Sequence, residues 1–279
     1  RGAQKSSKPL LYFGALHPED VWGFERALIY QSIAQADGFL AATSFEKAFL
    51  TKQGIDPGKI TILGAGVDVA ELAGADGRSW RKTHQLTNEP LIAFVGQQVA
   101  HKGIDTLIEA MPRVWQQLPS ARVVIAGKPT GYSPTIRTMV TKLPPAQQQQ
   151  VLQLDSLTDA EKNGLLAACD VLALPSRHES FGIVLVEAWA CGKPVVSCRV
   201  GGVAALLDEG QDGLLVPVGD AEALGQALLR LLQDPALRAE MGSAGQKKVK
   251  SRYTWETVTA VYREACLAAI NRFQQEHRE

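Results

Sequence analysis

Cysteine is scarce in this chain of 279 residues, and no two cysteines form a C-x-x-C pair. The four cysteines are Cys169, Cys191, Cys198 and Cys266. The first three lie among apolar residues, which predicts reduced, buried thiols rather than a disulfide framework. Reduced thiols favour a cytoplasmic location. No signal peptide is recognisable, although the sequence begins at Arg1 rather than at a methionine.

Long apolar runs and an excess of charge are also lacking. The longest apolar candidate, 165–174, is interrupted by Asp170 and is shorter than the ~18 residues that a transmembrane helix needs. With 29 basic and 29 acidic residues the formal net charge is zero, which argues against nucleic acid as a partner. A local basic face that holds the protein at the periphery of a membrane stays open.

Several motifs of other enzyme classes are missing. There is no His/Asp/Glu cluster with metal-ligand spacing, so no metal is expected. No G-x-G-x-x-G joins a strand to a helix, which argues against a dinucleotide cofactor. The absence of a nucleophile elbow argues against a serine hydrolase. We therefore expect no cofactor.

From Pro90 onward, short apolar strands alternate with amphipathic helices. The pattern predicts strands at 91–95, 123–126, 151–154, 171–174, 195–197 and 214–216. It predicts helices at 104–118, 134–142, 159–168, 181–190 and 221–232. Continuous apolar strands separated by helices are typical of a doubly wound, mostly parallel α/β domain. We assign this domain to residues 90–250.

The residues before Pro90 repeat this pattern on a smaller scale. Three strands, at 10–13, 39–42 and 60–63, and two helices, at 21–36 and 45–52, are predicted. Three strands are few for a free-standing doubly wound domain, so residues 1–68 are interpreted as the tail of a larger domain. Residues 69–89, rich in polar residues and glycine, are expected to connect the two domains. Residues 251–279 predict an amphipathic packing helix.

The most informative run is 177–188, which places Glu179 and Glu187 eight positions apart. Between them, small residues lead into an apolar helix. The exposed amides and the dipole at a helix N-terminus favour phosphate groups. Carboxylates accept hydrogen bonds from the hydroxyls of a sugar or a ribose. This combination suits a sugar joined to a diphosphate.

Five blocks in this order resemble the retaining glycosyltransferases of the GT-B fold, the group 1 family with its E-x7-E motif. The blocks lie at 64–68, 96–103, 177–188, 190–202 and 212–217. The resemblance covers most of the chain, from about Pro9 to Ile270. It implies a complete Rossmann-like donor domain, preceded by the tail of a Rossmann-like domain that would bind the acceptor.

The resemblance also implies roles for residues that bind the donor. Lys102 would meet the diphosphate, with Gly96 and Gln97 beside it, although a lone lysine is usually a solvated surface residue. Glu187 would hold the ribose hydroxyls; the alternative is an ordinary acid on a helix surface. Main-chain groups near Ser156 and Leu157 would read the base.

A second set of residues would surround the sugar. Glu179 would contact the sugar or the reacting centre; alternatively its carboxylate caps the helix that follows. Ser180, Phe181 and Gly182 would offer backbone amides, while the Phe181 ring could belong to the core. His17, after the first strand, would approach the sugar, or lie in an ordinary surface loop.

The chain departs from the family pattern in three ways. Gln97 stands where the family has an arginine on the diphosphate, so stabilisation of the leaving group should weaken. Asp155 stands where the loop near the base usually has a glycine. The first half of the acceptor domain, with its glycine-rich loop, is missing from the sequence.

We therefore expect a retaining glycosyltransferase that uses a nucleoside-diphosphate sugar without an obligatory metal. The acceptor stays open between a sugar, a lipid-linked sugar and a small molecule, and the missing N-terminal segment would be a further partner. The main alternatives are a nucleotide-binding module without transferase activity and a scaffold that has lost the site. Another enzyme class with the GT-B fold, such as a sugar epimerase or a phosphorylase, ranks lower. The sequence has no signature of the lysine that would bind the cofactor of a phosphorylase.

Overall fold

The computed structural model describes residues 8–14 and 27–277. Two parallel sheets lie one after the other along the chain. The first has strands β1 (Leu11–Phe13), β2 (Gly38–Ala41) and β3 (Ile60–Ile62) in the order β1-β2-β3. Helices α1 (Ala27–Ala34) and α2 (Ser44–Lys52) connect them. Phe39, Leu50 and Ile60 form part of a small core, so three strands suffice to bury apolar surface here.

The second sheet has six parallel strands in the order β6-β5-β4-β7-β8-β9. The strands are β4 (Leu91–Val95), β5 (Arg122–Ala126), β6 (Val151–Leu154), β7 (Val171–Leu174), β8 (Val195–Cys198) and β9 (Gly213–Val216). Each agrees with the predicted strand to within one residue at either end. This strand order is that of the doubly wound Rossmann fold, and it confirms the predicted fold class.

Helices cover both faces of this sheet, as continuous apolar strands require. The helices that follow β3 along the chain are α3 (Val69–Ala73), α4 (Gly77–Thr83), α5 (Ile104–Gln117), α6 (Ser133–Thr141), α7 (Pro145–Gln148), α8 (Asp159–Ala168), α9 (Ile183–Ala190), α10 (Gly201–Leu206), α11 (Ala221–Gln233), α12 (Pro235–Arg252) and α13 (Trp255–Glu276). α5 packs against α6 and α11, and α8 packs against α4 and α9. α5 continues through Pro112 without interruption.

The segment 69–89, predicted as a connection, contains helices α3 and α4. Asp68 and Asp76 cap these helices by accepting hydrogen bonds from backbone amides. Trp80 of α4 is buried and lies against Gly164 of α8. These residues therefore help to close the core of the second sheet.

The C-terminal helices return the chain to the first sheet. The Val67 amide donates to the Tyr253 carbonyl at 2.9 Å, where the outgoing and returning segments cross. α13 then lies along β2, and the Arg272 guanidinium donates to the Asp37 carbonyl at 2.7 Å. Neither α10 nor α12 is predicted from the sequence, because α10 is short and α12 buries few apolar side chains. No helix within 27–277 is both long and apolar enough to cross a membrane.

Candidate functional site

The candidate site lies where the strand order of the larger sheet reverses. β4 and β7 are neighbours, but the chain leaves β4 toward β5 on one side and leaves β7 toward β8 on the other. The loops after these two strands, 96–103 and 175–182, therefore diverge at the carboxyl edge of the sheet. In open α/β sheets, a crevice of this kind is where ligands bind. Both loops contain residues that the sequence analysis assigned to the donor.

The two loops approach each other so closely that one position requires glycine. Gly103 has a φ of 69°, and it separates a 3-10 turn (Ala100–Lys102) from α5. A Cβ atom built at Gly103 would lie 1.9 Å from the Pro175 carbonyl oxygen. No larger side chain fits without moving a backbone, so the lysine before this glycine has a defined position at the floor of the crevice.

Arg177 ties the second loop to the start of α5. Its guanidinium donates to both carboxylate oxygens of Asp105, at 3.0 and 2.7 Å, and to the Ala100 carbonyl at 2.7 Å. Burial tends to raise the pKa of Asp105, but the hydrogen bonds from Arg177 and from the Thr106 amide, together with the charge of Arg177, outweigh it and lower that pKa. The sequence analysis included Arg177 in its motif without giving it a role. Its partner lies 72 positions away, which no local pattern reveals.

Lys102 and Glu179, predicted for different parts of the donor, form one ion pair across the crevice. The distance from Lys102 Nζ to Glu179 Oε2 is 2.5 Å, and the side chains are 20% and 10% exposed. An ammonium group has three N–H donors, so Lys102 can hold Glu179 and still donate to a phosphate. The pair places a cation and a carboxylate together at the point where the two loops meet.

The helix after Glu179 begins later than predicted, and Glu179 does not cap it. α9 starts at Ile183, and its N-cap is Gly182, which has a φ of 79° and makes no side-chain cap hydrogen bond. The carboxylate of Glu179 binds Lys102 instead, so the capping alternative is wrong. The uncapped first turn of α9 leaves amides available to an anion.

Ser180 and Phe181 lead into this turn with their backbones held in place. A Cβ atom at Gly202 of α10 would lie 1.8 Å from the Ser180 carbonyl oxygen, so α10 packs directly on this segment. The Phe181 ring is buried and meets Tyr253 edge to face, with the ring centroids 5.8 Å apart. The Phe181 side chain therefore belongs to the core.

Glu187 projects from α9 toward α8 and is paired there. Lys162 Nζ lies 2.6 Å from Glu187 Oε1, and the side chains are 23% and 14% exposed. Burial alone would lower the pKa of Lys162, but the hydrogen bonds and charges of Glu187 and Asp159 raise it. The sequence analysis did not single out Lys162, because a lysine in an amphipathic helix is ordinarily a surface residue.

The loop predicted to read the base follows β6. Ser156 has a φ of 63°, a left-handed conformation that is uncommon for serine. Asp155, before it, accepts a hydrogen bond from Gln98 Nε2 at 3.0 Å. The same amide donates to the Gly127 carbonyl at 3.0 Å, so Gln98 joins the ends of β5 and β6. The side chain at position 155 thus holds the buried Gln98, a residue that the sequence analysis missed.

The remaining predicted residues are more exposed or lie elsewhere. Gly96 follows β4, and its amide donates to the Ala126 carbonyl at 2.9 Å. Gln97 is exposed, and its side chain makes no hydrogen bond to any described residue. Leu157 is half-buried. His17 lies outside the described residues.

A cavity of about 300 Å³ lies beside the motif, between the two sheets. Phe181 and Leu206 line it on one side, and Thr43 and Leu63, which follow β2 and β3, line it on the other. A larger cavity of about 560 Å³ surrounds Asp170 and Lys193, at the opposite edge of the larger sheet. Of these two cavities, the smaller one has a predicted donor residue, Phe181, in its lining.

The strand order and the diverging loops define a Rossmann-like α/β domain with a crevice at the point where the strand order reverses. Residues 76–248 match the family described as "Glycosyl transferases group 1". The chain belongs to this family. The resemblance to the group 1 glycosyltransferases is thereby confirmed.

Two curated relatives from corynebacteria illustrate the family. The chain is 31% identical over 252 residues to a D-inositol 3-phosphate glycosyltransferase of Corynebacterium efficiens, covering 85% of this chain and 59% of the relative. It is 36% identical over 205 residues to a GDP-mannose-dependent monoacylated alpha-(1-6)-phosphatidylinositol monomannoside mannosyltransferase of Corynebacterium glutamicum, covering 70% and 52%. The chain therefore spans little more than half the length of these relatives.

Solved structures agree on the fold. Sucrose-phosphate synthase from Thermosynechococcus elongatus is 25% identical, with a TM-score of 0.79 over 96% of this chain and 71% of that one. Anabaena Alr3699/HepE, solved in complex with UDP, is 21% identical, with a TM-score of 0.81 over 94% and 72%. The predicted GT-B architecture is confirmed by these similarities.

Proposed function

We propose that this chain carries the donor site of a glycosyltransferase that takes its sugar from a nucleoside-diphosphate sugar and retains the anomeric configuration. The observation that carries the proposal is the Lys102–Glu179 pair at the carboxyl edge of the sheet, next to the uncapped start of α9. One relative bears a name that calls it GDP-mannose-dependent, and one similar structure is a complex with UDP. Both support the same class of donor.

In the proposed reaction, the bond between the anomeric carbon and the diphosphate oxygen breaks. The acceptor hydroxyl oxygen bonds to that carbon on the same face, and its proton passes to an oxygen of the departing diphosphate. The departing nucleoside diphosphate carries the developing negative charge. Lys102 and the amides that begin α9 stabilise this charge, since donors aimed at a developing charge lower the barrier most. In this proposal Lys102 and these amides, and not an obligatory metal, stabilise the diphosphate.

Glu179 has two tasks in this proposal. It holds Lys102 in the crevice, and its carboxylate lies where the donor sugar hydroxyls would enter. Glu187, which lies further along the same motif in α9, accepts hydrogen bonds from the ribose. Gln97 donates to the diphosphate without adding charge, which makes it a weaker partner than the arginine of the family pattern.

The acceptor enters from the side of the smaller sheet. The cavity between Phe181 and the ends of β2 and β3 opens beside the motif. The two corynebacterial relatives bear names that mention inositol phosphate and a phosphatidylinositol mannoside. We therefore propose an acceptor that contains an inositol or a similar polyhydroxylated ring. The cytoplasmic location expected from the sequence stays a prediction.

Calorimetric titration of the chain with UDP, GDP and ADP tests the donor site. One nucleotide should bind selectively, and Glu187→Ala should weaken it by about 1.5–3 kcal/mol, the cost of losing a hydrogen bond to a charged group. Glu109→Ala, an exposed acid on α5, is the matched control and should bind as the wild type does. An unchanged dissociation constant in a folded Glu187→Ala variant would refute the ribose assignment.

A second candidate function is nucleotide binding without transfer. It is favoured because position 97, which the family resemblance assigns to the diphosphate, is a neutral glutamine here. Incubation with the sugar nucleotide of the base that binds, plus an inositol phosphate, separates the two functions. Formation of a glycoside whose anomeric proton coupling matches that of the donor supports retaining transfer. Binding without any product supports the binding module.

A further inference from the structure

Lys162 is a partly buried lysine with no role in the proposed reaction. It lies near the start of α8, and its Nζ is 2.6 Å from Glu187 Oε1 and 3.4 Å from Asp159 Oδ1. Asp159 is largely exposed, whereas Glu187 is not. The shorter and better-shielded contact joins α8 to the second glutamate of the E-x7-E motif, so Lys162 determines where that carboxylate points.

The ion pair uses only one of the two oxygens of Glu187. Oε1 accepts the hydrogen bond from Lys162, while Oε2 makes no hydrogen bond to any residue in the described ranges. A carboxylate has lone pairs for about four hydrogen bonds, so most of its accepting capacity remains. Because one oxygen is held, the plane of the carboxylate is oriented before a ligand arrives. Such preorganisation reduces the entropy lost on binding.

Lys162 is also rigidly connected to the loop that follows β6. α8 begins at Asp159, three residues after Ser156, and a capping box between Thr158 and Glu161 fixes its first turn. In this capping box the Glu161 carboxylate accepts from the Thr158 amide at 2.8 Å. A ligand that contacts both the loop after β6 and Glu187 therefore bridges two elements of the structure. The Lys162–Glu187 ion pair fixes the distance between these two elements.

We propose that Lys162 is a positioning residue for the ribose of the donor nucleotide. It holds Glu187 Oε1 so that Oε2 faces the ribose diol, and it links recognition of the ribose to the loop that contacts the base. This inference rests on the proposed function. The chemistry recognised is a vicinal diol, so the site selects ribonucleotides over 2′-deoxyribonucleotides, and the selection depends on Lys162.

The test compares a ribonucleotide with its 2′-deoxy analogue. UDP, GDP and ADP are titrated into the wild type, and the one that binds most tightly is paired with its 2′-deoxy form. The wild type should prefer the ribonucleotide. Lys162→Met should lose about tenfold in affinity for the ribonucleotide and little for the deoxy analogue, as expected for about one charged hydrogen bond. Lys162→Arg should restore most of the preference, and Lys52→Met on α2 is the surface control.

The results distinguish two roles for Lys162: positioning Glu187 for the ribose, or only stabilising the contact between α8 and α9. Equal weakening of both nucleotides in Lys162→Met, or no weakening, overturns the inference while leaving the proposed donor site intact. If Lys162→Met does not fold, Lys162→Gln replaces it, with the same loss of ribose preference expected. In a Glu187→Gln background the lysine substitution should change nothing further. A folded wild type that binds none of the three nucleotides refutes both this inference and the proposed function.

Discussion

Replacing Arg177 by methionine should loosen the two loops that form the crevice. The substitution removes four hydrogen bonds: two to Asp105, one to the Ala100 carbonyl and a long one of 3.5 Å to Thr106 Oγ1. A hydrogen bond to a charged group contributes about 1.5–3 kcal/mol, but the Arg177 and Asp105 side chains are 33% and 23% exposed, so solvent screens part of this energy. We expect a loss of about 2 kcal/mol in the free energy of unfolding.

The loss should depend on pH in a defined direction. Because the folded structure lowers the pKa of Asp105, the Arg177 pair stabilises the fold above the unfolded pKa of an aspartate, about 3.9. As the pH falls through the still lower folded pKa, this stabilisation disappears. The difference between wild type and Arg177→Met should therefore be constant from about pH 5 to 8 and should shrink below about pH 4.

Urea unfolding followed by tryptophan fluorescence measures this difference. With a slope of about 2 kcal/mol per molar urea, a loss of about 2 kcal/mol lowers the midpoint by about 1 M. Arg177→Lys keeps the charge but not the bidentate geometry, so it should lose about half as much. The Arg177→Met and Asp105→Asn effects should not add, since both remove one interaction. Additive effects, or a difference that is the same at about pH 3 and about pH 7, would refute the reasoning.

The phosphate position, the loop contact and the metal requirement each give a further prediction. Gln97→Arg should tighten binding of the nucleoside diphosphate about tenfold in calorimetry, and no gain would show that position 97 does not face the phosphates. Gly103→Ala should lower the melting temperature and weaken nucleotide binding, because its Cβ would lie 1.9 Å from the Pro175 carbonyl oxygen; a fully stable variant would contradict the close approach of the loops. Removal of divalent cations with a chelator should leave the rate of sugar transfer unchanged, whereas a rate restored only by added Mg²⁺ would show that Lys102 does not carry the leaving-group charge alone.

The strands were the most predictable part of the fold. β4 and β7 are continuous apolar runs bounded by proline, glycine or aspartate, and such runs are typical of a buried parallel strand. Helices with a clear apolar face, such as α5, were equally predictable. α12 was not, because two of its four buried positions are the closely packed Gly242 and Gly245, which leave little periodic apolar signal.

The candidate site likewise has features that the sequence predicts and features that it does not. The E-x7-E run and the Lys-Gly pair are local patterns, so their residue types alone indicate phosphate and sugar binding. The partners of these residues could not be inferred locally. Glu179 pairs with Lys102 across 77 positions, and Glu187 pairs with Lys162 across 25. Neither separation corresponds to a helix or strand period.

The sequence by itself therefore determined the α/β class, the family and the motif residues, because apolar periodicity and short motifs are properties of neighbouring positions. The tertiary structure alone decided which charges meet. It closed the loops through Gly103, joined Arg177 to Asp105 and gave Glu187 a lysine partner. These contacts arise where strands distant in sequence end at the same edge of one sheet. Only the folded chain brings them within hydrogen-bonding distance.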